Sequence, residues 1–171
     1  MSESVYVLEE DLLSSGKIRF LNYFIDYVFT YAVSTVLGLI IPELVKVLDS
    51  VGLTGFGFWV FNVGSWMIIF LSVLMTTAYY IVAEGVFGST VGKFITGTVV
   101  VDENGNKPDW GIILKRSLCR LIPFDVLSFF GSPSRGWHDS ISNTYVVNKK
   151  DLEKEVKLFH EFNLIGNTEL N

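Results

Sequence analysis

Two charged side chains interrupt a long apolar run near the N-terminus of the chain. The run reads IRFLNYFIDYVFTYAVSTVLGLIIP over residues 18–42, with Arg19 near its start and Asp26 seven positions further on. A carboxylate in apolar surroundings costs free energy unless a partner neutralises its charge, because a medium of low dielectric disfavours charge. Within a membrane such an acid can bind a cation or carry a proton, so Asp26 is the first candidate for chemistry.

The partner of Asp26 has to come from outside its own helix. Seven residues place Arg19 and Asp26 on one helical face, but about 10 Å apart along the axis. The Arg19 side chain also extends toward the helix N-terminus, away from Asp26. We expect one of four later cations to pair with Asp26: Lys93, Arg116, Arg120 or Arg135. Of these, Arg116 and Arg120 have the i, i+4 spacing that suits one shared acceptor.

Other short motifs do not predict a catalytic or metal site. The G-S-T-V-G-K segment, residues 88–93, lacks the four-residue spacer and the hydroxyl residue after lysine of a phosphate-binding loop. The acidic turn at residues 102–104 lacks the ligand spacing of a calcium loop. His138 and Asp139 are adjacent, so their side chains diverge, and the single cysteine, Cys119, lies in no nucleophile motif. We therefore expect no enzymatic activity, no metal and no cofactor.

The composition of the chain favours a membrane protein. Its 171 residues are 50% hydrophobic and only 18% charged, whereas soluble domains carry about 25% charged residues. The mean hydropathy is +0.43. The net charge of -5 argues against a nucleic-acid partner, because phosphate binding relies on clustered Lys and Arg.

Two segments are long and apolar enough to cross a bilayer, which takes roughly 20 residues. We predict spans over about residues 20–42 and 58–84, because Asp26 is the one charge in the first and the second has none before Glu84. A soluble helical bundle is the alternative, but its helices would show a polar face, which the second segment lacks.

The positions of the cations predict the orientation of these spans. Lys and Arg lie before the first span and after the second, and the connection over residues 43–54 contains only Lys46. By the positive-inside rule both termini are then cytoplasmic and the connection lies outside.

The residues after the second span predict a small β element. The β-branched residues 98–101 and the Asn104-Gly105 pair predict a β hairpin over about residues 96–108. Residues 144–147 have the pattern of another short strand and are an expected partner for residues 98–101.

An amphipathic helix is predicted over about residues 110–122, with Asp109 as its N-cap. The helix carries three cations: Lys115, Arg116 and Arg120. Each would cost about 2.5 to 3.5 kcal/mol at the bilayer centre, so we expect the helix at the cytoplasmic interface. A third crossing over residues 118–130 stays open as an alternative, because Arg120 and Asp125 can neutralise one another.

The chain then divides into three parts. Residues 1–16 form a cytoplasmic N-terminal segment, residues 17–148 a membrane domain, and residues 149–171 a charged cytoplasmic tail. The predicted fold class is an all-α membrane protein with two transmembrane helices, or alternatively three. A cytoplasmic amphipathic helix and a small two-stranded β element complete it.

Several separated motifs resemble the RDD family of bacterial integral membrane proteins, which is named for one arginine and two aspartates. They are R-x6-D at the first span, GSTVGKFITGTVVVDENGNKP, KRSLCRL and SRGWHDSISNTYVV, in this order between residues 19 and 147. By position, the resemblance assigns the arginine to Arg19 and the aspartates to Asp26 and Asp139. It implies a multi-pass protein of the bacterial cytoplasmic (inner) membrane, for which cation and proton exchange has been suggested.

Two classes of function fit these residues. In the first, Asp26 exchanges a proton for a cation, and Arg19, Asp139 and Arg116 act as gating partners. In the second, pairs such as Arg19 with Asp139 or Asp125 brace the cytoplasmic layer of a non-catalytic accessory or assembly protein.

The expected partners are the lipid bilayer and either a second copy of the chain or another membrane protein. Glycines that offer close helix contact are the basis for such an assembly: Gly38, Gly52, Gly55, Gly57 and Gly64.

Overall fold

Two long helices dominate the structure. The computed structural model of the chain describes residues 6–131 and 135–168. Helix α1 covers Gly16–Ser50, and after the short helix α2 (Thr54–Asn62), helix α3 covers Ser65–Phe87. In each long helix only 6% of the most apolar 18-residue stretch is buried against the rest of the chain. A soluble bundle would bury such faces, so their exposure fits contact with lipid.

Helix α1 extends beyond the predicted first span. It continues past Pro42 to Ser50, although the sequence predicts a connection over residues 43–54. Proline removes one backbone donor, but membrane helices tolerate that loss where neighbouring structure holds them. Beyond the proline, α1 packs closely on α2: a Cβ placed on Gly57 would lie 2.7 Å from Cγ1 of the buried Val45.

The predicted second span, residues 58–84, is divided between two helices. Helix α2 ends at Asn62, and α3 begins at Ser65, after an extended link through Val63 and Gly64. Helix α3 keeps 23 residues, which is still enough to cross a bilayer.

A two-stranded antiparallel sheet joins distant parts of the chain. Strand β1 (Thr98–Val101) pairs with strand β2 (Tyr145–Asn148), and Thr98 lies opposite Asn148. The predicted pairing of these two segments is therefore confirmed.

The prediction of a β hairpin over residues 96–108 is wrong. Its turn is present, because the Asp102 N–H donates to the Asn106 carbonyl oxygen at 2.8 Å and Gly105 has a φ of +73°. The described residues 102–109 nevertheless form no second strand. Pro108 has no N–H to give to a ladder at this point, and the next helix begins two residues later.

The remaining helices lie at the sheet end of the molecule: α4 (Val91–Thr96), α5 (Trp110–Cys119), a 3-10 helix (Asp125–Phe130), α6 (Trp137–Ser142) and α7 (Lys149–Thr168). Asp109 occupies the N-cap position of α5 as predicted, although its side chain makes no capping hydrogen bond. The alternative of a third crossing is not supported, because in the described ranges only α1 and α3 are long and apolar enough to cross a membrane.

Both ends of the described chain pack on the sheet. Val101, Val147 and Leu152 form a buried core, against which partly buried N-terminal side chains pack: Tyr6, Leu8, Leu12 and Leu13. The Leu8 N–H also donates to the Glu103 carbonyl oxygen at 2.9 Å. The charged segment over residues 149–171 is thus a docked helix where it is described, because Leu152 and Val156 give it an apolar face.

Candidate functional site

A buried carboxylate on α3 collects three cations at the base of the two long helices. Glu84 is fully buried, and its Oε1 accepts hydrogen bonds from Lys93 Nζ at 3.0 Å and Arg120 Nη2 at 2.7 Å. Its Oε2 lies 3.0 Å from Arg116 Nε. Arg116 and Arg120 therefore share one acceptor, as their spacing predicts, but that acceptor is Glu84 and not Asp26.

A second acid extends this cluster to α1 and α6. Asp139 is fully buried, with its Oδ1 2.5 Å from Arg116 Nη1 and its Oδ2 bound by Arg19 Nη1. The Arg19–Asp139 pair is one of the two pairings that the sequence leads us to expect. Arg116 bridges Asp139 and Glu84, so the two acids belong to one network that ties α1, α3, α5 and α6 together.

His138 links the network to a third buried acid. Its backbone N–H donates to Asp125 Oδ1 at 3.1 Å, and its ring Nδ1 lies 2.5 Å from Asp125 Oδ2. The ring Nε2 lies 3.3 Å from Asp139 Oδ1. Burial lowers the pKa of the His138 imidazole, although the adjacent Asp139 and Asp125 carboxylates act in the opposite direction.

Burial and neighbouring charge oppose each other on the ionisable groups outside the long helices. Burial by itself raises the pKa of the Asp139 carboxyl, but the adjacent cations, Arg116 foremost, outweigh it and hold that pKa well below its usual range. Burial lowers the pKa of the Lys93 ammonium to about 8, although the Glu84 carboxylate acts in the opposite direction. For Arg120 burial by itself lowers the pKa, but the surrounding acidic groups, Glu84 foremost, together outweigh burial, so the pKa lies above the ordinary value.

Asp26 lies beside this network but is held in a different way. It is 1% exposed, and neutral groups donate to both of its oxygens: Tyr79 Oη at 2.8 Å, Thr90 Oγ1 at 2.6 Å and Gly92 N at 2.8 Å. No cation of the described residues lies within 4 Å of its carboxylate. The expectation that Lys93, Arg116, Arg120 or Arg135 pairs directly with Asp26 is therefore wrong. The first three bind Glu84, and Arg135 Nη2 donates to the Asp139 backbone oxygen at 3.4 Å.

The glycine-rich segment between α3 and α4 explains this outcome. Thr90 caps α4, and Gly92 brings the start of that helix directly onto the backbone of α1. A Cβ at Gly92 would collide with the Asn22 carbonyl oxygen, so glycine is required for the approach. The donors that a glycine-rich loop offers to an anion are thus taken by Asp26 of the same chain.

Two cavities flank the site. The first, of about 830 Å³, lies between α1, α3 and α5 and is lined by Asp26, Lys93 and the three arginines of the network. Hydroxyl side chains continue its lining along the two long helices: Tyr27, Thr30, Tyr31, Ser34, Ser72, Thr76, Thr77 and Tyr80. The second, of about 880 Å³, lies between α3, α4 and β1 and is lined by Thr90, Tyr79 and again Lys93.

No sequence pattern predicts that Glu84, Tyr79 or Thr90 belongs to the site. Glu84 has a visible signal, since it is the first charge after the uncharged residues 50–83 and marks the C-terminal end of the predicted second span. Thr90 and Tyr79 carry no comparable signal, because their importance depends on how α4 lies against α1. No group of three or more His, Cys, Asp or Glu side chains is placed to hold a metal ion within the described residues.

Comparison with known proteins identifies the family of this chain. The family described as the RDD family matches residues 17–143, which is most of the chain and includes Arg19, Asp26 and Asp139. No curated protein and no solved structure matches the chain. The match confirms the resemblance carried by the separated motifs.

Proposed function

This chain belongs to the RDD family, and on that premise we propose that it exchanges a cation for a proton at the Asp26 carboxylate. Family membership and the two lipid-facing helices indicate a membrane protein. The observation that carries the proposal is the contrast among the buried acids. Cations hold Glu84 and Asp139, and His138 holds Asp125, whereas among the described residues only neutral groups donate to Asp26.

A buried carboxylate without a cation favours any event that neutralises it. Coulomb interactions are strong where the dielectric is low, so a proton or a bound cation at Asp26 relieves the cost of its charge. The protonated carboxyl and the cation-bound carboxylate exclude each other when the proton and the cation use the same oxygens. Exchange of one for the other is therefore the chemistry that this position suits best.

The first cavity supports access to Asp26 from within the membrane. Its hydroxyl lining follows one face of α1, through Tyr27, Thr30 and Ser34, and the facing side of α3, through Ser72 and Thr76. Oxygen ligands suit hard cations, and hydroxyl groups also hydrogen-bond to water. The arginines at the base of the cavity are already bound to Glu84 and Asp139, and Asp125 is bound by His138, which leaves Asp26 as the acid that can change partner.

We place the sheet end of the protein in the cytoplasm of a bacterial cell. Every Lys and Arg except Lys46 lies within the first turn of α1 or after α3, and the described parts of both terminal segments pack at this end. The positive-inside rule supports that orientation, with the link between α1 and α3 outside the cytoplasmic membrane.

A second function, that of a non-catalytic accessory or assembly protein, is favoured by the extent of the bracing. Arg19–Asp139 joins α1 to α6, and Arg116 joins α5 to both buried acids, so the pairs hold the cytoplasmic layer to the spans. A partner could use glycines that a Cβ would leave without any contact within 4 Å: Gly38, Gly55 and Gly64. Gly57 is already used within the chain, against Val45.

The test is exchange in liposomes that contain the purified protein alone. An imposed Na+ or K+ gradient should drive protons in the opposite direction, which an enclosed pH-sensitive dye records. We expect Asp26→Asn to slow the exchange by roughly 100-fold, the lower end of the effect of losing a proton-transfer group.

The matched control is Glu43→Gln, which removes an acid from the same helix. Its side chain is 68% exposed and pairs with Lys46 at the far end of α1. We expect the wild-type rate from this variant. Exchange in wild-type vesicles no faster than in empty ones, or full activity of Asp26→Asn, would overturn the transport proposal and leave the accessory function.

A further inference from the structure

A chain of hydrogen bonds connects Asp26 to the nearest buried lysine. Lys93 Nζ donates to Thr90 Oγ1 at 3.4 Å, and Thr90 Oγ1 donates to Asp26 Oδ2 at 2.6 Å. All three side chains are almost fully buried, with exposed fractions of 4%, 1% and 1%. The Thr90 hydroxyl thus accepts from one ionisable group and donates to the other, which is the arrangement that passes a proton.

The position of Lys93 gives this series of hydrogen bonds a direction. Lys93 lines the cavity between α1, α3 and α5 and also the cavity between α3, α4 and β1. Asp26 lines the first cavity and Thr90 lines the second. Lys93 therefore lies where the two cavities meet, and Thr90 and Asp26 extend from it to one cavity each.

We propose that Lys93 delivers the proton to Asp26 and removes it again through the Thr90 hydroxyl, so that protons and cations reach Asp26 from different cavities. This inference rests on the proposed exchange at Asp26 and identifies the proton path of that site. It makes Lys93 and Thr90 functional residues beyond the arginine and the two aspartates of the family motif.

The transfer conserves protons and charge. One N–H bond of the Lys93 ammonium breaks and that proton forms an O–H bond on Thr90, while the original Thr90 proton moves to Asp26 Oδ2. The result is a neutral amine, an unchanged hydroxyl and a neutral carboxylic acid. Each hydrogen bond is retained with its direction reversed, because Asp26 now donates to Thr90 and Thr90 to Lys93.

The charges that face Lys93 come from every neighbouring helix. Glu84 on α3 stabilises the ammonium, Arg116 and Arg120 on α5 oppose it, and Asp26 on α1 attracts it. Lys149 lines the second cavity from the sheet side. The pKa of about 8 that burial and these charges produce keeps both forms of Lys93 accessible near neutral pH.

Tyr79 is the other hydroxyl on Asp26, but it is not placed to relay a proton. Tyr79 Oη donates to Asp26 Oδ1 and accepts the Val91 backbone N–H at 3.0 Å. A backbone amide does not release its proton near neutral pH. Thr90 is therefore the hydroxyl that reaches an exchangeable proton.

The experiment compares exchange rates and their pH dependence in the same liposome assay. Thr90→Val removes the hydroxyl at nearly constant volume, and we expect it to slow exchange by roughly 100-fold, whereas Thr90→Ser should keep most of the rate. In the wild type the rate should have an inflection near pH 8, the pKa of the Lys93 ammonium. Lys93→Gln should lose that inflection, and Lys115→Gln, a change at an exposed lysine of α5, should retain it.

The outcomes separate the relay from the exchange itself. Exchange that is absent from the wild type overturns both proposals. Exchange that is lost in Asp26→Asn but intact in Thr90→Val overturns the relay alone. Retention of the pH inflection in Lys93→Gln also overturns the relay, and this result does not depend on whether Thr90→Val folds.

Discussion

At the scale of single residues, Glu84 and Asp26 are two buried acids on facing helices that differ in what neutralises them. Glu84 is shared by Lys93, Arg116 and Arg120. Removing one member of a buried ion network leaves charges without compensation, which costs about 3 to 5 kcal/mol. We therefore expect Glu84→Gln to lower the free energy of unfolding in detergent by that amount.

A double-mutant cycle identifies the partner of each acid. Adding Arg120→Leu to Glu84→Gln should recover part of the lost stability, because one stranded cation is removed as well. Adding the same change to Asp26→Asn is the matched control, and the two effects should add to within about 0.5 kcal/mol. Strong coupling of Arg120 to Asp26, with none to Glu84, would contradict the pairing seen in the structure.

The pH dependence of stability is also decided by individual side chains. His138 has a lowered pKa, so below about 6.5 the unfolded chain binds a proton that the folded chain excludes. Asp139 has a depressed pKa, so its contribution is complete above about pH 4 and is lost as the pH falls toward the folded value. The two lowered pKa values both predict a lower melting temperature on acidification. His138 gives one step below about pH 6.5, and Asp139 gives another below about pH 4.

Thermal unfolding between pH 8 and pH 3 checks this expectation. His138→Gln should remove the first step, since glutamine does not titrate, and should leave the second in place. A melting temperature that rises as the pH falls from 7 to 5 would contradict the lowered pKa of the His138 imidazole.

At the scale of elements, the contact between α4 and α1 decides whether Asp26 is satisfied. A Cβ at Gly92 meets the Asn22 carbonyl oxygen, so Gly92→Ala has to push α4 away from α1 and weaken the Gly92 N–H bond to Asp26. We expect a loss of about 1 to 3 kcal/mol, the usual cost of an overpacked contact, and a parallel loss of exchange activity.

Gly38→Ala is the control for this prediction. A Cβ at Gly38 meets nothing within 4 Å, and alanine is the better helix former by about 1 kcal/mol. Its stability in detergent should equal or exceed that of the wild type. Equal effects of the two substitutions would show that the α4–α1 contact is not tight.

At the scale of the whole molecule, two spans place both terminal segments on one side of the membrane. The test uses single cysteines in a Cys119→Ser background and a maleimide that does not cross membranes. Ser50→Cys, at the end of α1, should react in intact cells, whereas Lys154→Cys, on the exposed side of α7, should react only after lysis. Labelling of Lys154→Cys in intact cells would reverse the proposed orientation.

The sequence by itself determined the membrane-spanning helices, the two paired strands and the amphipathic helix. Each of these follows from a local pattern: a long apolar run, a short β-branched run, or a 3.6-residue period in polarity. It also identified most charged members of the site, because a charge beside or inside an apolar span is rare enough to be noticed. The ends of the elements were less accurate, as α1 beyond Pro42 and the division after Asn62 show.

Only the tertiary structure decided which charges meet. Sequence spacing relates Arg116 to Arg120 on one helix, but it contains no distance from that helix to Asp26 or Glu84. Which groups reach Asp26 depends on how closely α4 approaches α1, and the glycine at Gly92 permits that approach. Neutral donors from α3 and α4 therefore occupy the place expected for an arginine, because pairing between separate elements is a property of their packing and not of their local patterns.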